Sequence, residues 1–297
     1  MSRSVAISLE KLTKNYGSTR GITDVTFNVF SGEVMGFLGP NGAGKTTAIR
    51  TLLGLIKATS GQATILGINA LVPNTELRRK IGYLPGIAAT YDRFTGRGYL
   101  HFIARMRKLN LDKQIEKYAQ RLDLDLDQRI HDLSKGNRQK VSVIQAFMHS
   151  PNVLFLDEPT SGLDPLVQRE FKIMLDEVRE RGAAVVLSSH VLSEIENLAD
   201  RIAIIDQGRL VVVDEIASLK AKARRRIELF FDKPIHNSDF LKVPNIKEIQ
   251  AMNGSLTCVV TGSENELLRR AVELGVNQVK TEESSLEEIF LGLVGTQ

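Results

Sequence analysis

The run Gly39-Pro40-Asn41-Gly42-Ala43-Gly44-Lys45-Thr46-Thr47 constrains this chain more than any other stretch. It satisfies the phosphate-loop pattern G-x-x-x-x-G-K-[ST] without a mismatch. The apolar residues Val34–Leu38 before it predict a short buried strand, and Lys45 to Leu55 after it predict a helix. Three glycines allow the loop to turn several backbone N–H groups toward one anion, in conformations that a side chain would forbid. The helix N-terminus adds unpaired N–H groups and the positive end of its dipole at the same point. In such a loop Lys45 reaches the β- and γ-phosphates and the Thr46 hydroxyl ligates Mg²⁺. A plain glycine-rich turn has no need of Lys-Thr at the helix start. The expectation is a nucleoside triphosphate site.

The 297 residues suffice for one large domain, or one large and one small. A net charge of +4 is mild, and no basic groove interleaved with aromatics is visible, so nucleic acid is not an expected partner. The single cysteine, Cys258, excludes an internal disulfide and suits a reducing compartment. The first ten residues lack the apolar core of a signal peptide. No stretch approaches the ~20 apolar residues of a membrane span, so any membrane role requires another chain to supply the spans. The dense basic run Lys220–Arg226 reads as a solvated helix end at a domain junction, with anionic lipid headgroups as the functional alternative.

Residues 5 to about 219 alternate strand-like and helix-like segments, which predicts an α/β core with parallel strands. Val153–Leu156 and Ala183–Leu187 are continuous apolar runs, as in strands buried on both faces. Thr95 to Met148 reads as an inserted helical subdomain. From about residue 220 the pattern changes: Ile227–Phe231 is strand-like, and Asn253-Gly254 between two further strand patterns is a hairpin signal. Glu264–Glu273 predicts a helix and Val276–Lys280 a strand; Ser284 and Glu287 form a capping box for a last helix bearing Leu286, Ile289, Phe290 and Leu293 on one face. Residues 220–297 therefore read as a small α+β accessory domain without a catalytic motif.

Leu156-Asp157-Glu158-Pro159-Thr160 closes the strand that begins at Val153. An acid at a strand end beside the phosphate loop suits Mg²⁺, which points to Asp157; Glu158 could orient or deprotonate the attacking water. Around these residues the chain resembles the ATPase subunits of ATP-binding cassette (ABC) transporters. Leu133-Ser134-Lys135-Gly136-Asn137-Arg138-Gln139 resembles the family signature, Ser161–Asp164 the D-loop, His190 the switch histidine, and Tyr16 the aromatic residue that stacks on adenine. The resemblance implies a P-loop NTPase core with a helical subdomain, ATP and Mg²⁺ as ligands, and an active site shared between two subunits. Ser134, Gly136 and Asn137 would cap the γ-phosphate held by the opposite subunit, with Asp164 linking the two sites. Read without the family, Ser134 is equally a helix cap and Tyr16 a packed aromatic.

Two positions depart from the family pattern. Lys135 and Asn137 replace the usual Gly and Gln of the signature, while Ser134 and Gly136 are kept. After Ile81–Pro85, where the family carries a Gln or Glu, this chain has Gly86. The stretch Ser285–Leu291 resembles the ending of ABC-2-type export ATPases, a group that includes drug and antibiotic exporters. The implied function is an ATP-hydrolysing subunit that dimerises with a second, identical subunit. It would drive export through a separate integral-membrane permease, from the cytoplasmic face of the cell membrane. The rival expectation is a soluble scaffold that uses ATP as a dimerisation switch and transports nothing.

Overall fold

The computed structural model describes residues 4–17, 19–87, 91, 93–222 and 224–282. The chain divides into two units, one ending at Asp214 and the other beginning at Glu215. In the first, β1 (Val5–Tyr16) and β2 (Thr19–Phe30) form a long antiparallel hairpin. The phosphate loop runs from β3 (Val34–Leu38) into α1 (Lys45–Leu52). β4 (Ser60–Ile65), β5 (Ile68–Asn69), α2 (Thr75–Arg79) and β6 (Ile81–Leu84) follow. Thr95 to Met148 contains α3 (Gly96–Met106), α4 (Asp112–Arg121) and α5 (Lys135–Phe147). The unit closes with β7 (Val153–Asp157), α6 (Pro165–Glu180), β8 (Ala184–Ser189), α7 (Leu192–Leu198), β9 (Arg201–Asp206) and β10 (Arg209–Glu215).

The central sheet has the order β10-β9-β3-β8-β7-β6. Strand β3 pairs in parallel with β8 and β9, β8 with β7, and β7 with β6. Every residue of β3, β7 and β8 is buried, which explains the uninterrupted apolar runs: the strands are covered on both faces. The parallel register brings Leu38 beside Ser189, and Ser188 beside Asp157, at the carboxyl ends of three adjacent strands. Open parallel sheets bind their ligands at that edge.

A second sheet, β2-β1-β4-β5, is antiparallel and departs from the alternating α/β pattern expected for the whole of 5–219. Its buried face, including Ile7, Leu9, Ile22 and Val25, joins Phe37, Ile49, Phe155 and Val186 in one core. Helix α1 is shorter than expected, because Gly54 takes φ +65 just beyond it. The longest helix among the described residues, α6, has 16 residues, and none is long and apolar enough to cross a membrane.

In the second unit α8 (Ile216–Lys222) precedes β11 (Arg224–Phe231). The basic run is therefore not one helix end: Arg224–Arg226 open a strand. β12 (Ile246–Met252) and β13 (Ser255–Thr261) meet in a hairpin whose turn residues Asn253 and Gly254 have φ +47 and +81. That conformation is what the Asn-Gly pair favours. With α9 (Asn265–Glu273) and β14 (Val276–Glu282) these strands form the sheet β12-β13-β11-β14. Ile227, Leu229, Leu256 and Cys258 face Phe240, Leu267 and Ala271 in a separate small core. The expected last helix with Leu286, Ile289, Phe290 and Leu293 lies outside the described residues.

Candidate nucleotide site

The loop between β3 and α1 owes its shape to three glycines. Gly42 and Gly44 have φ +83 and +111, and a Cβ on Gly39 would lie 2.3 Å from the Ile205 carbonyl oxygen. Any side chain there would push the loop off the sheet. Around it lies a cavity of about 350 Å³, lined by Pro40, Asn41, Gly42, Ala43, Gly44, Lys45, Thr46, Thr47, Arg50, Gly86, Ile87, Asp157 and Glu158. The sequence expectation missed Arg50.

Lys45 is buried, and its Nζ donates to the Gly39 and Pro40 carbonyl oxygens at 2.5 and 3.3 Å. Burial lowers its pKa; the carboxylates of Glu158 and Asp157 partly offset this. Its ammonium stands 3.9 Å from Glu158 Oε1. The Thr46 hydroxyl donates to Asp157 Oδ2 at 2.8 Å, and Ser188 Oγ donates to Asp157 Oδ1 at 2.5 Å. Asp157 and Thr46 thus offer a carboxylate and a hydroxyl side by side. That hard-oxygen pair suits Mg²⁺, which takes one or two carboxylates and completes its shell with phosphates and water. Among the described residues no group of three or more His, Cys, Asp or Glu could hold a metal.

Glu158 has φ +51, a left-handed conformation that costs a non-glycine residue about 1–3 kcal/mol. The surroundings hold it there. Its N–H donates to Ser188 O at 3.1 Å, and Gln139 Nε2 reaches Pro159 O at 3.0 Å and Glu158 O at 3.4 Å. The turn brings the carboxylate to His190, whose Nδ1 lies 2.8 Å from Glu158 Oε2.

The other expected residues lie outside the lining of this cavity. Ser134 caps α5, its hydroxyl accepting from Asn137 N–H at 3.1 Å, and Gly136 packs so closely that a Cβ would lie 2.6 Å from Gly162 O. Asp164 caps α6 by accepting from the Leu166 and Val167 N–H groups, and the Val167 bond leads in holding its pKa below the usual carboxylate range. Tyr16, at the end of β1, is 43% exposed, and Lys14 Nζ sits 5.0 Å above its ring. Gln139, Ser188, Thr160 and Glu194 were not anticipated. Their only sequence signal is position: Gln139 on the signature helix, Thr160 two residues past Glu158, Ser188 and Glu194 either side of His190.

A phosphate loop on a parallel sheet, with an acid, a hydroxyl and a glutamate–histidine pair at its strand ends, defines an ATP-hydrolysing P-loop cassette. Residues 22–161 match the family model described as ABC transporter. The bacitracin transport ATP-binding protein BcrA of Bacillus licheniformis is 34% identical, with 98% of each chain covered. The Nod factor export ATP-binding protein I of Rhizobium meliloti is 30% identical over 99% of this chain and 89% of the relative. A solved ATP-binding subunit of an ABC transporter superposes with a TM-score of 0.68 at 28% identity, covering 72% of this chain and 92% of that one. The chain belongs to the ABC transporter ATP-binding proteins. It is the ATP-hydrolysing subunit of such a transporter, on the export side of the family as the motifs led us to expect. Proteins of this class dimerise and work with membrane permease subunits.

Proposed function

We propose that two copies of this subunit close around ATP and Mg²⁺ on the inner face of the cell membrane and drive export through a separate permease. The observation that carries the reading is the convergence of Lys45, Thr46, Asp157 and Glu158 on one cavity, with His190 bonded to Glu158. Lys45 and the loop amides bind the phosphates, and Thr46 and Asp157 hold Mg²⁺. When bound, the ion neutralises charge on the phosphate oxygens. Glu158 takes the proton of the attacking water, His190 orients Glu158 and meets the γ-phosphate, and Tyr16 stacks on adenine. Ser134, Gly136 and Asn137 serve the nucleotide of the other subunit, and Asp164 links the two sites. Catalysis is then mostly positioning and charge stabilisation.

The permease reading draws on a surface feature. Tyr91, Phe94 and Phe102 form a ring cluster with centroids 5.7–6.1 Å apart, and Ile87, Tyr91 and Met106 are 85%, 59% and 67% exposed. An exposed aromatic patch of this kind marks a protein contact. A scaffold without transport is disfavoured, because relatives aligned over the whole chain are transporter subunits. The test is Glu158→Gln, which keeps size and removes the charge. Turnover should fall roughly 10²–10⁴-fold with ATP affinity unchanged. Near-normal turnover would refute the assignment.

A further inference from the structure

Glu194 lies on α7, outside the cavity, and no motif of the chain singles it out. Both of its carboxylate oxygens are engaged. Oε1 accepts from Thr160 Oγ1 at 2.6 Å and Oε2 accepts from Ser189 Oγ at 2.7 Å. Thr160 and Ser189 are buried, and Ser189 Oγ also accepts from Val191 N–H at 2.9 Å. Hydroxyl donors on an ionised carboxylate make short, strong bonds, and burial strengthens them further.

The partners are what matter. Thr160 stands two residues after Glu158, in the turn that leads to Ser161–Asp164. Ser189 stands immediately before His190. Glu158 and His190 are themselves joined at 2.8 Å. The chain therefore closes a ring: Glu158, the Pro159–Thr160 turn, Glu194, Ser189, His190, and back to Glu158. One side of the ring carries the left-handed Glu158 backbone, which holds its conformation only where neighbours over-determine it. Gln139 secures this turn from the α5 side and Glu194 from the α7 side.

We propose that Glu194 is a positioning residue that locks the Glu158 turn to the His190 segment. The pair then meets the nucleotide as one body, and a displacement of His190 is passed to the turn carrying Ser161–Asp164. This rests on the roles given above to Glu158 and His190. It predicts a loss of turnover that requires His190.

The experiment measures steady-state ATP hydrolysis and nucleotide affinity of the full chain for Glu194→Ala, alone and combined with His190→Ala. Glu194→Ala alone should lower kcat about 10-fold or more, since misplacement of order 1 Å can cost ~10²-fold, with ATP affinity unchanged. Glu194→Gln keeps one carbonyl acceptor and should recover part of the loss. On a His190→Ala background the further loss from Glu194→Ala should shrink to less than about twofold, because residues acting through one another are not additive. An equal loss on both backgrounds, or no loss at all, overturns the proposal. Should Glu194→Ala fail to fold, Thr160→Val removes one bond to Glu194, and Ser189→Ala removes the other together with the bond from Val191 N–H; both keep the shape of the site. Each should lower kcat, and together they should cost less than the product of the single effects; normal turnover in both overturns the lock. Glu158→Gln separates the two levels. If it abolishes turnover while Glu194→Ala leaves turnover normal, the lock fails and the assignment of Glu158 stands.

Discussion

Gly136 offers a prediction whose size and sign follow from the geometry. It lies in the first turn of α5, where replacing glycine by alanine ordinarily gains up to about 1 kcal/mol of helix stability. Here the new Cβ would lie 2.6 Å from the backbone carbonyl oxygen of Gly162, 0.8 Å short of the 3.4 Å at which ordinary contact begins. The obstacle is main chain, so it cannot rotate aside, and forced overpacking costs about 1–3 kcal/mol. The steric term exceeds the helix gain, for a net loss of roughly 1–2 kcal/mol. For a unit of this size that corresponds to a melting temperature about 2–8 °C lower. Relief of the clash moves the Ser161–Asp164 turn relative to the α5 N-terminus, and turnover should fall about 10-fold or more with it. Thermal melts of Gly136→Ala, with ATPase assays on the same preparation, read both effects. A raised melting temperature with normal turnover would show that α5 and the Gly162 turn are not in contact, and the account of the signature helix would fall.

Two further outcomes concern groups away from the nucleotide. Burial pushes His149 down to about 4, helped by the nearby Arg107 guanidinium, while its bond to Ile81 O opposes the shift. Between pH 6.5 and 4 the unfolded chain binds a proton that the native chain refuses, so stability falls as pH falls through that window, by about 2–3 kcal/mol at pH 4.5. Urea unfolding at pH 7 and 4.5 should show a shallower acid loss in His149→Gln than in wild type; parallel losses would contradict this. Burial raises the Cys258 thiol to about 11 in the core of the second unit. A maleimide at pH 8 should label the native chain at least ~10²-fold more slowly than the urea-unfolded chain. Equal rates would mean that this core is open.

The most legible parts were those whose chemistry allows few substitutes. Only glycines fit the close approaches of the phosphate loop, and Lys-Thr at a helix start has no structural purpose in a plain turn. The Asn-Gly hairpin was legible for the same reason, because few residue pairs accept two positive φ values. The antiparallel sheet β2-β1-β4-β5 was not, because the pairing of β1 with β4 joins residues far apart in the chain, such as Ile7 and Ile65, through a backbone ladder that any similar residue could enter. The basic run misled for a local reason: its charge pattern suited a helix end, but Arg224–Arg226 open β11, a strand paired on both sides by β13 and β14. Thr160, Ser189 and Glu194 were invisible as a group. Each is an ordinary residue, and the meaning lies in bonds that span 34 and 5 positions across two loops.

Gly86 shows how the site can keep its chemistry while losing a side chain. A Cβ there would lie 3.4 Å from Asp157 Oδ2, so the residue at this position looks straight at the proposed metal-holding acid. With glycine, Asp157 keeps two side-chain bonds, from Thr46 and Ser188, one on each oxygen. The acid is therefore held in place without a partner from position 86. A glutamine there would have joined the acid by its side chain to the segment that leads toward Ile87 and the exposed ring cluster. In this chain the remaining connection is the main chain: β6 pairs with β7 through Leu84 and Leu156, one residue before Asp157. A backbone ladder transmits displacement but reads no charge. The exposed patch can thus follow a shift of β7, yet has no side chain at position 86 with which to sense the phosphate itself. In the function proposed above, that sensing falls to His190 and the half-buried Glu158 carboxylate bonded to it.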